Sequence, residues 1–417
     1  MQERFLFTSE SVGKGHPDKL CDQISDAIVD ACLKQDNFSR VAVDAVIKSG
    51  LVLLVGELTT KADINFDEIT RNVLRNAGYT AEWGLDPDAC TVLTNITQQS
   101  IDISNGIEQT NEDKWDLGAG DQGIMFGYAT DETEEKMPMT THLAHKLAYH
   151  LNILRTEVDW LGPDNKTQVT MEYTEGYETV GSEVENQNNS DESGVHTSGK
   201  SIKVLRPVRV DSIVISAQHK ENVTTEYIRE YLKTNLIEKV IDSELLKDTK
   251  YILQPSGKFV VGGPKADSGL TGRKLVVDSY GGWGANGGGA YSGKDWSKVD
   301  RSGAYMARWI AKSLVSSGLA KRILVQISYA IGVKDPISLY VNSYDSSEYD
   351  NADILKIVQN NFNLRLGNIV KELSLDRPIY KNTAVFGHFG REEFPWEKVK
   401  VLNIPSDLQK VKRVNRG

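Results

Sequence analysis

The sequence predicts an α+β protein of three similar α/β-sandwich domains with a pseudo-threefold repeat, helices on one face of mixed sheets. Three observations carry that prediction. The chain has 417 residues, too many for one ordinary hydrophobic core. Its make-up, 39% hydrophobic and 25% charged, is that of a globular protein. One order of elements, helix, strand, turn, strand, helix, recurs three times along it. The repeat divides the chain into 1–112, 113–260 and 261–417.

In the first copy a short strand at 4–8 precedes a helix over 20–33. That helix buries a stripe of Ile24, Ile28, Ala31 and Cys32, with Pro17 and Asp18 as its start signal. Apolar runs at 41–47 and 51–58 read as strands joined through Lys48-Ser49-Gly50, and a second helix covers 67–77. In the second copy a helix over 141–154 sets Leu143, Leu147 and Leu151 on one face. Strands at 168–173 and 212–217 follow it, then a helix over 225–240. The third copy is a helix over 304–315, strands at 323–330 and 337–341, and a helix over 353–366.

Three stretches stand outside the repeat. Residues 175–203, rich in Glu, Asn, Ser and Gly, read as a solvated insertion between two paired strands. Residues 97–111 are polar and aperiodic, a candidate lid. The small residues of Gly118-Ala119-Gly120-Asp121-Gln122-Gly123 suggest close backbone packing against a ligand or a second subunit. The basic end, 410–417, reads as frayed.

With 48 basic against 58 acidic residues the net charge is −10, which argues against non-specific nucleic-acid binding. A polyanion ligand would need cations gathered locally. No apolar run reaches membrane-spanning length, and Met1-Gln2-Glu3-Arg4-Phe5 lacks a signal-peptide core, so a cytoplasmic enzyme is expected. Cys21, Cys32 and Cys90 have no metal-ligand spacing and read as small buried hydrophobes.

The cations gather at a glycine-rich stretch. Between Gly281 and Gly293 there are seven glycines in thirteen residues, and Lys294, Lys298 and Arg301 follow at once. Bare backbone N–H groups beside fixed cations make a polyphosphate cradle. The apolar Leu275-Val276-Val277 reads as a strand entering it. A P-loop is excluded because Asp295 stands where that motif needs a hydroxyl, and because the apolar helix begins about two turns too late.

His16 and Asp18 flank Pro17 at a helix N-terminus, where amides and dipole favour an anion. Asp18 with Asp295 or Asp300 offers hard oxygen ligands for magnesium; capping explains Asp18 equally well but leaves His16 and Lys14 unexplained. No Ser-His-Asp order, nucleophilic-cysteine setting or H-E-x-x-H occurs. What remains is a site for neutralising charge on an anionic leaving group.

Gly15-His16-Pro17-Asp18-Lys19, Gly118-Ala119-Gly120-Asp121-Gln122-Gly123, Gly269-Leu270-Thr271-Gly272-Arg273-Lys274 and Gly287-Gly288-Gly289-Ala290-Tyr291-Ser292-Gly293-Lys294-Asp295 resemble the signatures of the methionine adenosyltransferase (S-adenosylmethionine synthetase) family. The match runs from about Phe5 to Trp396. The resemblance implies that the sulfur of L-methionine attacks C5′ of ATP and displaces tripolyphosphate, which is then hydrolysed to phosphate and diphosphate. It further implies His16, Lys166, Arg273 and Lys294 as catalytic. ATP would be lined by His16, Asp164, Asn165, Lys166, Lys258, Phe259, Asp267, Arg273, Lys274, Ala290 and Lys294. Methionine would lie against Glu57, Gln99, Asp267 and Lys298. Asp18 and Asp300 would ligate magnesium, two ions per site, and Asp44 potassium. The expected assembly is a homodimer with shared active sites, paired into a homotetramer.

Four positions depart from the family pattern. Asp44 stands for a glutamate one methylene longer, which weakens the expected potassium dependence. Lys14 replaces a glutamate, Ile101 a lid proline and Asn286 a histidine. Two other functions compete with this one: a phosphotransferase using the same cradle, and a regulatory protein that senses ATP without turnover.

Overall fold

The computed structural model describes residues 3–98, 115–180, 200–406 and 408. Gln99 and the rest of the candidate lid, the centre of the insertion and the basic tail lie outside these residues. In chain order the strands are β1 (Glu3–Val12), β2 (Arg40–Lys48), β3 (Leu51–Thr59), β4 (Thr91–Thr97), β5 (Gly123–Thr130), β6 (Leu161–Val180), β7 (Lys200–His219), β8 (Lys250–Leu253), β9 (Gly269–Leu270), β10 (Arg322–Tyr329) and β11 (Ser338–Asn342). The main helices are α1 (Pro17–Gln35), α2 (Phe66–Ala77), α3 (Met139–Leu154), α4 (Thr225–Leu232), α5 (Val299–Ser316), α6 (Asn351–Asn361) and α7 (Leu366–Leu373).

The strands form three sheets, ordered β4-β3-β2-β9, β1-β6-β7-β8 and β11-β10-β5. Two are mixed, with parallel pairs β3·β4 and β7·β8, and the third is antiparallel. Each sheet borrows one strand. β1, from the start of the chain, pairs with β6; β5 pairs with β10; β9 pairs back with β2. The three repeats are therefore interlocked, and none can unfold without opening the edge of another's sheet.

Strand alternation explains which face is covered. β10 alternates half-exposed and buried residues along its whole length, and its buried row meets α5. In the same way α1 covers β2, and α3 covers β1 and β6. One apolar core lies under α3 and α4, built from residues such as Leu147, Leu151, Ile213 and Ile228. The other two sheets share a second, larger core. Cys21, Cys32 and Cys90 are buried and unpaired.

The structure corrects several boundaries. The supposed insertion 175–203 is partly sheet, because β6 and β7 continue as a hairpin until Val180 pairs with Lys200. Leu275-Val276-Val277 is not a strand but one helical turn, Leu275–Asp278, closed by Gly281 N–H donating to Val276 O at 3.0 Å with Gly281 at φ 62°. A three-residue apolar run carries too little periodicity to separate the two. The helix after the glycine-rich loop starts at Val299, earlier than its apolar stripe suggests. The helix expected over 353–366 is broken, because Phe362 turns extended and Asn363 accepts the Arg365 N–H at 3.1 Å. The helix over 225–240 is continuous but passes through a π-turn at Lys233–Ile237.

Candidate functional site

The loop between β1 and α1 is pressed flat against β6. Gly13 N–H donates to Asn165 O at 2.9 Å, and a Cβ on Gly13 or Gly15 would collide with Asn165 or Pro163. This seats His16 as the N-cap of α1, with Pro17 next, and the ring Nδ1 accepts the Asp18 N–H at 3.2 Å. A neutral ring accepting at Nδ1 carries its proton on Nε2. Burial drives the His16 pKa down to about 3, helped by the charges of Lys274 and Lys166. His16 is thus a neutral donor at any physiological pH.

Asp18 is 2% exposed yet ionised. Burial opposes its charge, but Lys274 Nζ at 2.5 Å and the Leu270 N–H at 3.0 Å outweigh it and hold the carboxyl below its usual range. Arg273 Nε lies 3.8 Å from the same carboxylate. Asp164 is also near. Its Oδ2 accepts the Gly263 N–H at 2.8 Å, its Oδ1 has no partner among the described residues, and burial raises its pKa to about 6 against the pull of Gly263 and Lys166. Asp18 and the exposed Asp267 add to that rise. His16, Asp18, Asp164, Asn165, Lys166, Asp267, Arg273 and Lys274 therefore converge.

What draws residues 269–301 onto α1 is a row of aspartates four residues apart, on one face of the helix. Asp18 takes Leu270 and Lys274, and Asp22 accepts Gly272 N–H at 2.8 Å. Asp26 accepts Gly293 N–H at 2.9 Å and forms a two-pronged pair with Arg301 at 2.6 and 2.8 Å. Asp30 caps Tyr380 and Lys381 N–H at 2.8 and 2.9 Å. Only Asp18 emerges from motif reading. The four-residue spacing of the aspartates at 18, 22, 26 and 30 along α1 is visible in the sequence, but what each one holds is not.

The glycine-rich loop is held by these anchors. Gly293, at φ 82°, also gives its carbonyl to Val43 N–H at 3.0 Å, and a Cβ there would strike Val43 O. Lys294, the next residue, extends Nζ to Asp300 Oδ2 at 2.6 Å. Gly289 leaves room for the Asp300 carboxylate, and Ala290 touches the α-carbon of Gly272. That contact joins the Lys294–Asp300 pair to the Asp18–Lys274 group; no direct bond joins Lys294 to Arg273 or His16 among the described residues. Asp44 is on the exposed row of β2, its pKa raised by burial and opposed by Lys294.

Other sequence-derived residues lie around this centre. Lys298 binds Asp295 at 2.6 Å, and Asp295 is consumed by Val41 N–H and Ser297 N–H as well, so it serves as an internal anchor and not as a metal ligand. Lys258 is exposed and pairs with Glu221 at 3.6 Å. The Phe259 N–H donates to His219 Nε2 at 3.0 Å. Glu57 is half-buried on β3 opposite Ala42, and Ala42 is bridged to Lys294. Gln99 falls outside the described residues. The small residues of 118–128 pack within the chain: Gly127 lies on Ala307 of α5, Gly118 on Gly332.

Three family matches cover nearly all of the chain. Residues 4–101 match the S-adenosylmethionine synthetase N-terminal domain, 116–189 and 197–259 its central domain, and 261–398 its C-terminal domain.

Proposed function

The chain belongs to the S-adenosylmethionine synthetase family and is a methionine adenosyltransferase, making S-adenosylmethionine from ATP and L-methionine, and from that premise we propose how its residues divide the work. The methionine sulfur attacks C5′ of ATP, the C5′–O bond breaks, and intact tripolyphosphate leaves to be hydrolysed to phosphate and diphosphate. A thioether has no proton to lose, so no general base is required. The barrier lies in the charge that builds on the leaving oxygen.

The observation that carries this reading is the convergence of Arg273 and Lys274 on Asp18 beside a neutral His16, with Lys294 on Asp300 next to it, in a chain of net charge −10. Lys166, Arg273 and Lys294 neutralise the departing chain, and His16 donates from Nε2. Asp164, Asn165, Lys258, Phe259, Lys274 and Ala290 complete the ATP site, with Phe259 against the adenine. Glu57, Gln99, Asp267 and Lys298 hold methionine, their carboxylates meeting its ammonium.

Among the described residues no group of three or more His, Cys, Asp or Glu forms a metal cage. That suits magnesium, which commonly takes one or two protein carboxylates and completes its shell with phosphate and water. Asp18 and Asp300 would each supply one carboxylate, and the ion when bound offsets triphosphate charge. Asp44, short by a methylene, would hold potassium weakly. The domains divide at 1–112, 113–260 and 261–417, with β1, β5 and β9 exchanged between their sheets.

Among the described residues no helix is long and apolar enough to cross a membrane, and we place the enzyme in the cytoplasm. Large apolar side chains stand exposed on strands of all three sheets, among them Leu6, Leu51, Leu93, Ile124, Ile252 and Tyr340. These faces support a homodimer with shared active sites, paired into a tetramer. Incubation with ATP, magnesium and methionine tests the reading: a sulfonium product is expected by mass spectrometry, whereas ADP formation would indicate phosphoryl transfer.

A further inference from the structure

Behind the β1–α1 loop, between α3 and residues 386–393, lies a cavity of about 300 Å³. It shares no lining residue with the ATP and methionine sites proposed above. Its wall is aromatic and apolar, from Tyr149, Phe386 and Phe389. Two cations, Lys146 and Arg391, reach it from opposite elements. Lys146 is exposed and has no ion pair among the described residues; Arg391 has one, to the exposed Glu393 at 3.2 Å.

Two polar atoms of the lining are unsatisfied. His145 is 8% exposed; its Nδ1 meets Ser11 Oγ at 2.8 Å, while its Nε2 has no hydrogen-bond partner among the described residues. The Nε of Arg391 is buried and likewise lacks one. Each such group costs about 1–3 kcal/mol if left bare, and native proteins leave few. The transferase chemistry uses neither. The volume is at the lower end of the range for small-ligand sites, roughly 300–1,000 Å³.

We propose that this cavity is a second small-molecule site, for an aromatic carboxylate whose ring lies on Tyr149 and Phe386 and whose carboxylate meets Lys146 and Arg391. Aromatic walls select a ring over an aliphatic chain through edge and face contacts. Cations that outnumber the one acid in the lining select an anion over its neutral isostere. The lining contains none of the residues of the proposed triphosphate cluster.

The full chain titrated with 2-naphthoate, followed by saturation-transfer NMR, tests this. Saturable binding is expected at one site per chain, undiminished by ATP with magnesium. Neutral 2-naphthamide should bind about tenfold more weakly, the loss of roughly 1.4 kcal/mol. Lys146→Gln, at an exposed position, should weaken naphthoate about threefold, the scale of an exposed charge pair; Tyr149→Ala, also at an exposed side chain, should weaken it at least as much. The proposal is overturned by any of four results: no saturable binding, equal binding of the amide, indifference to both substitutions, or displacement by ATP.

Discussion

Asp18 and Lys274, 256 residues apart in sequence, meet through Oδ2 and Nζ at 2.5 Å. Lys294 and Asp300 repeat the arrangement at 2.6 Å. In each pair a lysine proposed to meet phosphate is held by a carboxylate proposed to ligate magnesium. The carboxylates thereby offset the charge of the clustered cations, and under the proposed function magnesium and triphosphate would offer each member of the pair a new partner.

Asp18→Asn tests that exchange. The amide oxygen can still accept the Leu270 N–H, so the fold should persist while Lys274 loses its counter-charge. We predict that half-maximal activation needs more magnesium, and that kcat/KM for ATP falls about 10²-fold. A magnesium titration of the initial rate reads both.

Lys294→Ala and Glu57→Ala should separate leaving-group stabilisation from methionine binding. The first removes a charge needed most as the C5′–O bond breaks, so kcat should drop about 10²–10³-fold. The second should chiefly raise the methionine KM. Steady-state kinetics with each substrate varied in turn distinguish them, and normal turnover in Lys294→Ala would contradict the assignment.

The buried pair of Asp26 with Arg301, both fully inaccessible, pins α5 to α1. Asp26→Ala leaves a buried guanidinium uncompensated and should cost about 3–5 kcal/mol in denaturant unfolding. Arg75→Ala, on a surface pair with the exposed Asp88, should leave the unfolding midpoint almost unchanged.

His16 sets a pH dependence whose sign follows from its depressed pKa. Between pH 6.5 and about 3 the unfolded chain binds a proton on this residue that the folded chain refuses. Its contribution to stability is therefore complete above pH 6.5 and declines as the pH falls. In ¹³C-labelled protein the His16 Cε1 resonance should stay at its neutral position from about pH 8 to 5; an inflection near the ordinary histidine value would refute the buried neutral ring. His16→Gln should flatten the acid limb of the stability curve.

The chemistry was more legible in the sequence than the scaffold that positions it. Pro17 and Asp18 mark the start of α1, and the cations at 273–274 and 294 point to the proposed anion site, because both are local signals. Strand β1 was legible at 4–8 but its place beside β6 was not, and β5 and β9 were not read as strands at all, since pairing across the chain leaves no periodic trace. Nor was the role of Asp22, Asp26 and Asp30: each is an ordinary helix residue until its partners, Gly272, Gly293 with Arg301, and Tyr380, arrive from far along the chain. Lys298 shows the converse, since its value as a free cation could not be judged before Asp295 was seen beside it.

Departure of the triphosphate from C5′ is tested most directly with ATP carrying ¹⁸O at the 5′-bridging oxygen. With magnesium and methionine, a single turnover should put the label in the phosphate or diphosphate released, with none in the adenosyl product. Label retained with the nucleoside, or appearing in ADP, would contradict cleavage at carbon and with it the purpose assigned to the cation cluster.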